Sequence, residues 1–369
     1  APSRGLGDVY KRQVIMSYWT ICRMKTTKKI YVKVSIIFLL GGILLFSSCE
    51  KEENQKIEAN RKTLFMYLPW SSNLTNYFYN NISDLEKCIT KIGLNNEKVI
   101  VFISTGSTEA MMFEIVSSHG RCKREILKKY KSPPFTTIDG ITAILNDVKA
   151  FAPASVYTMI IGCHGMGWLP VYEMKVRSAP HMKMHWEYQG VPLTRYFGGL
   201  TAEYQTDIKS LASGIANAGM KMEYILFDDC YMSSIEVAYE LKDVTKYLIG
   251  STSEMMAYGM PYAAIGEYLL GNPDYQSGCE EFYNFYSTYE IMPCGTLAVT
   301  DCSELENMAA IIKSINSKYS FDKSLRGTIQ RLDGYTPVIF YDFADYITSL
   351  CNDPILLNPV SYTHLRAHE

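Results

Sequence analysis

From Thr63 to Thr300, short apolar runs rich in β-branched residues alternate with segments of helical spacing, and few folds can absorb that order. The runs are 63–68, 98–104, 155–163, 224–227, 246–251 and 296–300. They are largely apolar instead of alternating with polar residues, the pattern of strands buried on both faces. Segments 74–92, 140–151, 207–218 and 233–241 space their apolar residues three and four apart, as helices that bury one face do. Ser303 and Glu306 read as a capping box before a helix that runs through Lys318. Strands alternating with helices predict an α/β fold, a mostly parallel sheet with helices on both faces. The rhythm breaks between Trp168 and Gln205, where Pro170, Pro180, Pro192 and several glycines predict a long surface insertion.

The two ends do not belong to this pattern. Residues 1–13 contain SRGLGDVYKRQ, which reads as a translated sequencing adapter, and residues 360–369, VSYTHLRAHE, resemble its reverse complement. Both are set aside as artefacts, which predicts a domain truncated at its C-terminus. Residues 14–48 then form a leader. Met24 precedes Lys25, Lys28, Lys29 and Lys33, an apolar run covers 34–46, and Ser47-Ser48-Cys49 closes it. That run is short for a membrane span, which needs roughly 20 residues, so a secretory signal is favoured over a membrane anchor helix. Cys49 after two small residues resembles a lipobox, with Cys49 the lipidated first residue of the mature chain. Glu50-Lys51-Glu52-Glu53 resembles the acidic tag of some surface lipoproteins, and 49–61 reads as a tether. The expected location is the cell envelope, lipid-anchored at the outer membrane.

Residues 49–359 carry 27 Lys+Arg against 36 Asp+Glu, a net charge of −9. That balance offers nucleic acid no basic patch. Residues 62–359, read as one unit, suffice for one large α/β domain or two small ones. Eight cysteines follow Cys49, without CxxC or metal-type clustering, so no pairing is assigned.

In open α/β sheets the reactive groups lie at the carboxyl ends of the strands. Two strand ends stand out: Tyr157-Thr-Met-Ile-Ile-Gly-Cys-His164-Gly165, and Tyr224-Ile-Leu-Phe-Asp228-Asp229-Cys230-Tyr-Met-Ser-Ser-Ile-Glu-Val-Ala-Tyr-Glu-Leu241. A thiol needs a base to become a nucleophile, and imidazole is the usual one. A helix starting near Ser233 would add positive potential beside the thiol. His119-Gly120 is a second His-Gly pair, but it lies in the polar stretch SSHGRCKRE, outside any expected strand end. His181 and His185 lack the glutamate of a zinc-protease motif, so no metal site is expected there.

The combination of strand-His-Gly with strand-Asp-x-Cys-x-Met-x-Ser-x-Glu-Val-Ala-Tyr-Glu-Leu resembles the clostripain family of cysteine peptidases, relatives of caspases and gingipains. The strand at 63–68 with Asn73-Leu74 after it is similar to the family's first strand and turn. The resemblance spans roughly residues 62–301. It departs at Asp229, where a small residue is usual, and in the longer interval between His164 and Cys230. It implies a caspase-like fold and a Cys230–His164 dyad, with Gly165 and Cys230 N–H groups as an oxyanion hole. Asp228 would line the primary pocket and favour Arg or Lys before the cut; the bland alternative makes it a cap of the next helix. Glu254 is a second pocket candidate, or a solvent-facing residue. No resident cofactor is expected, although calcium is possible by the resemblance. Lys175, Arg177, Lys183 and Arg195 in the insertion offer sites for self-cleavage. Two other readings stand beside this one: a non-catalytic caspase-like surface binding protein, and a thiol amidase or transpeptidase.

Overall fold

The computed structural model describes residues 60–169, 171, 198–199, 202–335, 337–351 and 353. The leader, Cys49, both adapter-like ends and most of 168–205 lie outside the described residues. So do Lys175, Arg177, His181, Lys183, His185 and Arg195.

Five strands, β1 (Asn60–Leu68), β2 (Glu97–Gly106), β5 (Ala154–Ile161), β6 (Met222–Phe227) and β7 (Thr245–Gly250), run parallel in the order β2-β1-β5-β6-β7. An antiparallel hairpin, β3 (Glu109–Ser118) and β4 (Arg121–Lys131), extends the β2 edge, and β8 (Ala298–Asp301) closes the β7 edge antiparallel. The helices are α1 (Thr75–Ile92), α2 (Ile138–Phe151), α3 (Ile208–Asn217), α4 (Ile235–Leu241), α5 (Tyr262–Leu269), α6 (Tyr275–Ser287), α7 (Leu305–Lys318) and α8 (Phe343–Leu350).

The continuous apolar runs follow from two covered faces. Side chains alternate along a strand, and β1 sends Leu64, Met66 and Leu68 to one core while Phe65 and Tyr67 enter the other. On the first face they meet Phe78, Ile82, Leu85 and Ile89 of α1 and Ile265 of α5. On the second lie Ile141 and Leu145 of α2, Leu211 and Ile215 of α3, and Val237 and Leu241 of α4. Each such side chain contributes roughly 1.5–3 kcal/mol when fully buried. Polar residues at these β1 positions would therefore unseat helices on either side.

A cation interrupts this strand near its start. Lys62 is 3% exposed, and its Nζ donates to the carbonyls of Leu269 at 2.7 Å and Gly271 at 3.3 Å, at the C-terminal end of α5. Its ammonium also lies 5.5 Å from the Tyr224 ring centroid. Helix C-termini attract cations, yet burial dominates and holds its pKa down at about 8.

Three expectations are corrected. The Ser303–Glu306 capping box does not form: Asp301 takes the Ser303 N–H at 3.0 Å around a short 3-10 turn, and α7 begins at Leu305 behind Glu304. The β3–β4 hairpin, α5, α6 and α8 extend the predicted set of elements. His119-Gly120 does lie between two strand ends, at the hairpin tip with φ of +50° and +68°. Because β3 runs back along β2, that tip points to the amino ends of the parallel strands.

Candidate active site

The sheet register sets the site. Ile161 of β5 pairs with Phe227 of β6, and each chain then runs on three residues, to His164 and to Cys230. Both residues thus leave adjacent parallel strands at the same height on the carboxyl edge. Cys230 is 0% exposed and His164 1%. Order in this sheet reverses between β1 and β5, the kind of point where such folds open a crevice. Asn73, beyond the end of β1, reaches across it: its Oδ1 lies 2.7 Å from His164 Nε2. An amide oxygen only accepts, so Nε2 carries the proton. The His164 N–H is held by Gly198 O at 3.3 Å.

The loop after His164 packs on the nucleophile's own backbone. A Cβ at Gly165 would fall 2.1 Å from Cys230 O, 2.8 Å from Cys230 N and 2.9 Å from Asp229 Cβ. No side chain fits there, and the contact joins the two residues named for the oxyanion hole. Gly167 follows at φ +59°, with Tyr231 O and the Phe340 ring where a side chain would stand. Tyr231 itself holds φ +59°, sparsely populated for a bulky residue. Its N–H donates to Ser253 O at 3.0 Å, and its ring stacks on Phe340 at 4.4 Å and 9°. Burial, with help from Tyr335, Glu254, Cys230 and Asp333, pushes its phenol far above the usual range.

Phe340 and Tyr335 come from a loop tied by Asp333, whose carboxylate accepts the N–H groups of Tyr335 and Ile339, each at 2.8 Å, and of Phe340. Burial raises the Asp333 carboxyl, against the pull of those three bonds. Tyr335 also donates its hydroxyl to Met166 Sδ at 3.4 Å. The C-terminal part of the domain therefore touches both the turn after His164 and the turn after Cys230.

Cys230 Sγ accepts the Met255 N–H at 3.1 Å and lies 3.6 Å from Met255 O. Met255 belongs to the loop after β7, beside half-buried Glu254. Asp228 is 1% exposed; its Oδ1 accepts Met260 N–H at 2.8 Å and its Oδ2 the Tyr262 hydroxyl at 3.0 Å. It does not cap α4, since Ser234 does that by accepting Val237 N–H at 3.4 Å. It faces the start of α5. That helix α4 begins at Ile235, slightly later than expected, and has only seven residues.

No two of the eight described cysteines are joined in a disulfide. Burial pushes the thiols of Cys88 and Cys294 up to about 11, and those of Cys279 and Cys302 up to about 12, well away from nucleophilic use at neutral pH. Among the described residues no group of three or more His, Cys, Asp or Glu side chains could hold a metal.

A caspase-like α/β sheet that carries a His-Gly turn against a cysteine at adjacent strand ends defines a cysteine-type peptidase. The clostripain family model matches residues 66–353, and the chain belongs to that family. It is similar to a secreted C11 cysteine protease of Bacteroides thetaiotaomicron, "iotapain", with 58% identity, a TM-score of 0.77 and coverage of 84% of this chain and 86% of that one. An inactive zymogen C11 protease from Parabacteroides distasonis shares the fold at 24% identity, with a TM-score of 0.68 over 83% and 82% of the two chains. A second secreted C11 protease of B. thetaiotaomicron, in complex with an irreversible peptide inhibitor, does so at 19% identity, with a TM-score of 0.67 over 83% of each chain. No curated protein matches the chain.

Sequence reasoning named His164, Gly165, Asp228, Cys230 and Glu254. It passed over Met255, Tyr335 and Phe340, and gave Asn73 no role in the site. Only Asn73 left a trace, as a polar residue just past a strand end; the others arrive from loops distant in sequence.

Proposed function

We propose that this peptidase is an endopeptidase that cuts after Arg or Lys through a Cys230–His164 dyad. The packing of Gly165 on the Cys230 backbone supports this reading most directly. Cys230 Sγ attacks the scissile carbonyl carbon, and the carbonyl oxygen gains the charge that the Gly165 and Cys230 N–H groups receive. With Nε2–H given to Asn73, Nδ1 of His164 takes the thiol proton and passes it to the leaving amine. The C–N bond breaks, and water then hydrolyses the thioester. Asp228 supplies the negative charge that selects a basic side chain, with Glu254 at the pocket's margin.

The buried thiol and imidazole support a latent chain that opens on cleavage within residues 168–205, by its own activity at Lys175, Arg177, Lys183 or Arg195. The protein works at the cell envelope, lipid-anchored through Cys49 at the outer membrane, on peptides or proteins bearing Arg or Lys. The dyad chemistry calls on no cofactor; calcium, allowed by the family resemblance, enters no step.

The test is hydrolysis of fluorogenic peptides ending in Arg, Lys, Leu or Asp by the soluble chain from Lys51, with a chelator arm. Cleavage after Arg and Lys should vanish in Cys230→Ala and lose its basic preference in Asp228→Asn. Equal cleavage after Leu or Asp in the wild type would overturn the specificity. Fragmentation of both wild type and Cys230→Ala on a gel would overturn self-cutting.

A further inference from the structure

The chain leaves β5 with a buried donor that the strand ladder no longer serves. Asp228 N–H closes on Ile161 O at 2.8 Å, and Gly162 N–H on Tyr67 O at 3.1 Å. Beyond these the chain departs from strand geometry, and a side chain takes over. Asp229 Oδ1 accepts the Cys163 N–H at 2.6 Å, and Oδ2 accepts the Cys163 thiol at 3.4 Å. Asp229 is 0% exposed and Cys163 1%. Both oxygens of the Asp229 side chain accept from Cys163.

The position of this contact gives it a meaning beyond packing. Cys163 is the residue before His164, and Asp229 is the residue before Cys230. We propose that Asp229 is a positioning residue of the peptidase reaction: its carboxylate straps the end of β5 to the end of β6 and so sets the spacing of imidazole and thiol. This rests on the dyad reading. Proton transfer between the two needs hydrogen-bond reach, and the strap lies one residue from each. Asp229 Cβ also sits against Gly165, so the same side chain bears on the turn that follows the histidine. A small side chain at 229 could not reach the Cys163 N–H, and beyond the Asp228–Ile161 bond the two strand ends would then be held by the Gly165 contact.

Asn keeps an oxygen for the Cys163 N–H, whereas Ala removes the strap. Turnover should be measured on a Lys- or Arg-terminated peptide and normalised to sites titrated with an irreversible peptide inhibitor, so that misfolded molecules do not count. In Asp229→Ala, kcat per titrated site should fall by about tenfold or more with KM within about threefold, as a displaced catalytic pair predicts. Asp229→Asn should recover most of that loss. An unchanged kcat per site in Asp229→Ala would overturn the strap, and so would equal losses in Ala and Asn, which would point to charge instead of attachment. The Cys230→Ala and His164→Ala variants tell the two failures apart. Undiminished turnover in either sinks the dyad; loss in both beside a wild-type Asp229→Ala sinks the strap alone.

Discussion

Gly165→Ala tests the packing that joins the two strand ends. The added Cβ would meet Cys230 O at 2.1 Å, whereas ordinary contact begins at 3.4 Å, so the two backbones must part by about 1.3 Å. Both obstructing atoms of Cys230 are main chain, and no rotamer change can relieve them. Overpacking of this kind costs about 1–3 kcal/mol of stability, a shift of some degrees in Tm for a domain of this size. The rate should suffer more, because a displacement near 1 Å at reacting groups costs about 100-fold, or ~2.7 kcal/mol of barrier. The assay is kcat per titrated site on a Lys-terminated peptide, beside a thermal melt. Gly327→Ala serves as control, since nothing lies within 4 Å of its Cβ position and its φ is unremarkable. A Gly165→Ala enzyme that turns over within twofold of wild type would refute the claim that the contact sets the site.

Two further outcomes follow from other parts of the fold. Because the Lys62 pKa is about 8 when folded, against the 10.5 of an ordinary lysine, the unfolded chain binds more protons between those values, and this residue's contribution to stability rises with pH from about 8 to 10.5. The stability difference between wild type and Lys62→Met in denaturant titrations should grow by roughly 3 kcal/mol over that window; a flat difference would show that Lys62 is not held in a desolvated site. Phe340→Ala, which empties a nearly buried site stacked on Tyr231, should lower unfolding free energy by about 3–5 kcal/mol. A loss below about 1 kcal/mol in denaturant titration would mean that the Asp333 loop does not brace the turn after Cys230.

The parallel strands were legible because burial on both faces leaves no room for polar residues, and the 63–68 run shows this directly. The reactive strand ends were legible too, since a polar His or Asp-Asp-Cys breaking an apolar run marks where a strand stops. The hairpin was not. Its outer strand reads Arg121-Cys-Lys-Arg-Glu-Ile-Leu-Lys-Lys-Tyr-Lys131, and charges that guard a sheet edge against further pairing also mask the alternation that would reveal it. The Ser303 cap failed for a local reason: Asp301, two residues earlier, captures the very N–H that the turn offers. Asn73, Met255 and Phe340 join the site through sheet order and tertiary packing, and no spacing in the sequence encodes a contact across that distance.

The shared register of His164 and Cys230 has a consequence for the covalent chain. Their separation in space is counted from the Ile161–Phe227 pair, three residues along each strand, and owes nothing to the number of residues that connect them. Segments between Gly167 and the start of α3 can therefore lengthen, shorten or be severed without altering the count. The two halves are held by the β5–β6 ladder, the shared cores and the Asp229–Cys163 bond. The placing of His164 beside Cys230 is a property of the sheet, whatever the length of chain that links its halves.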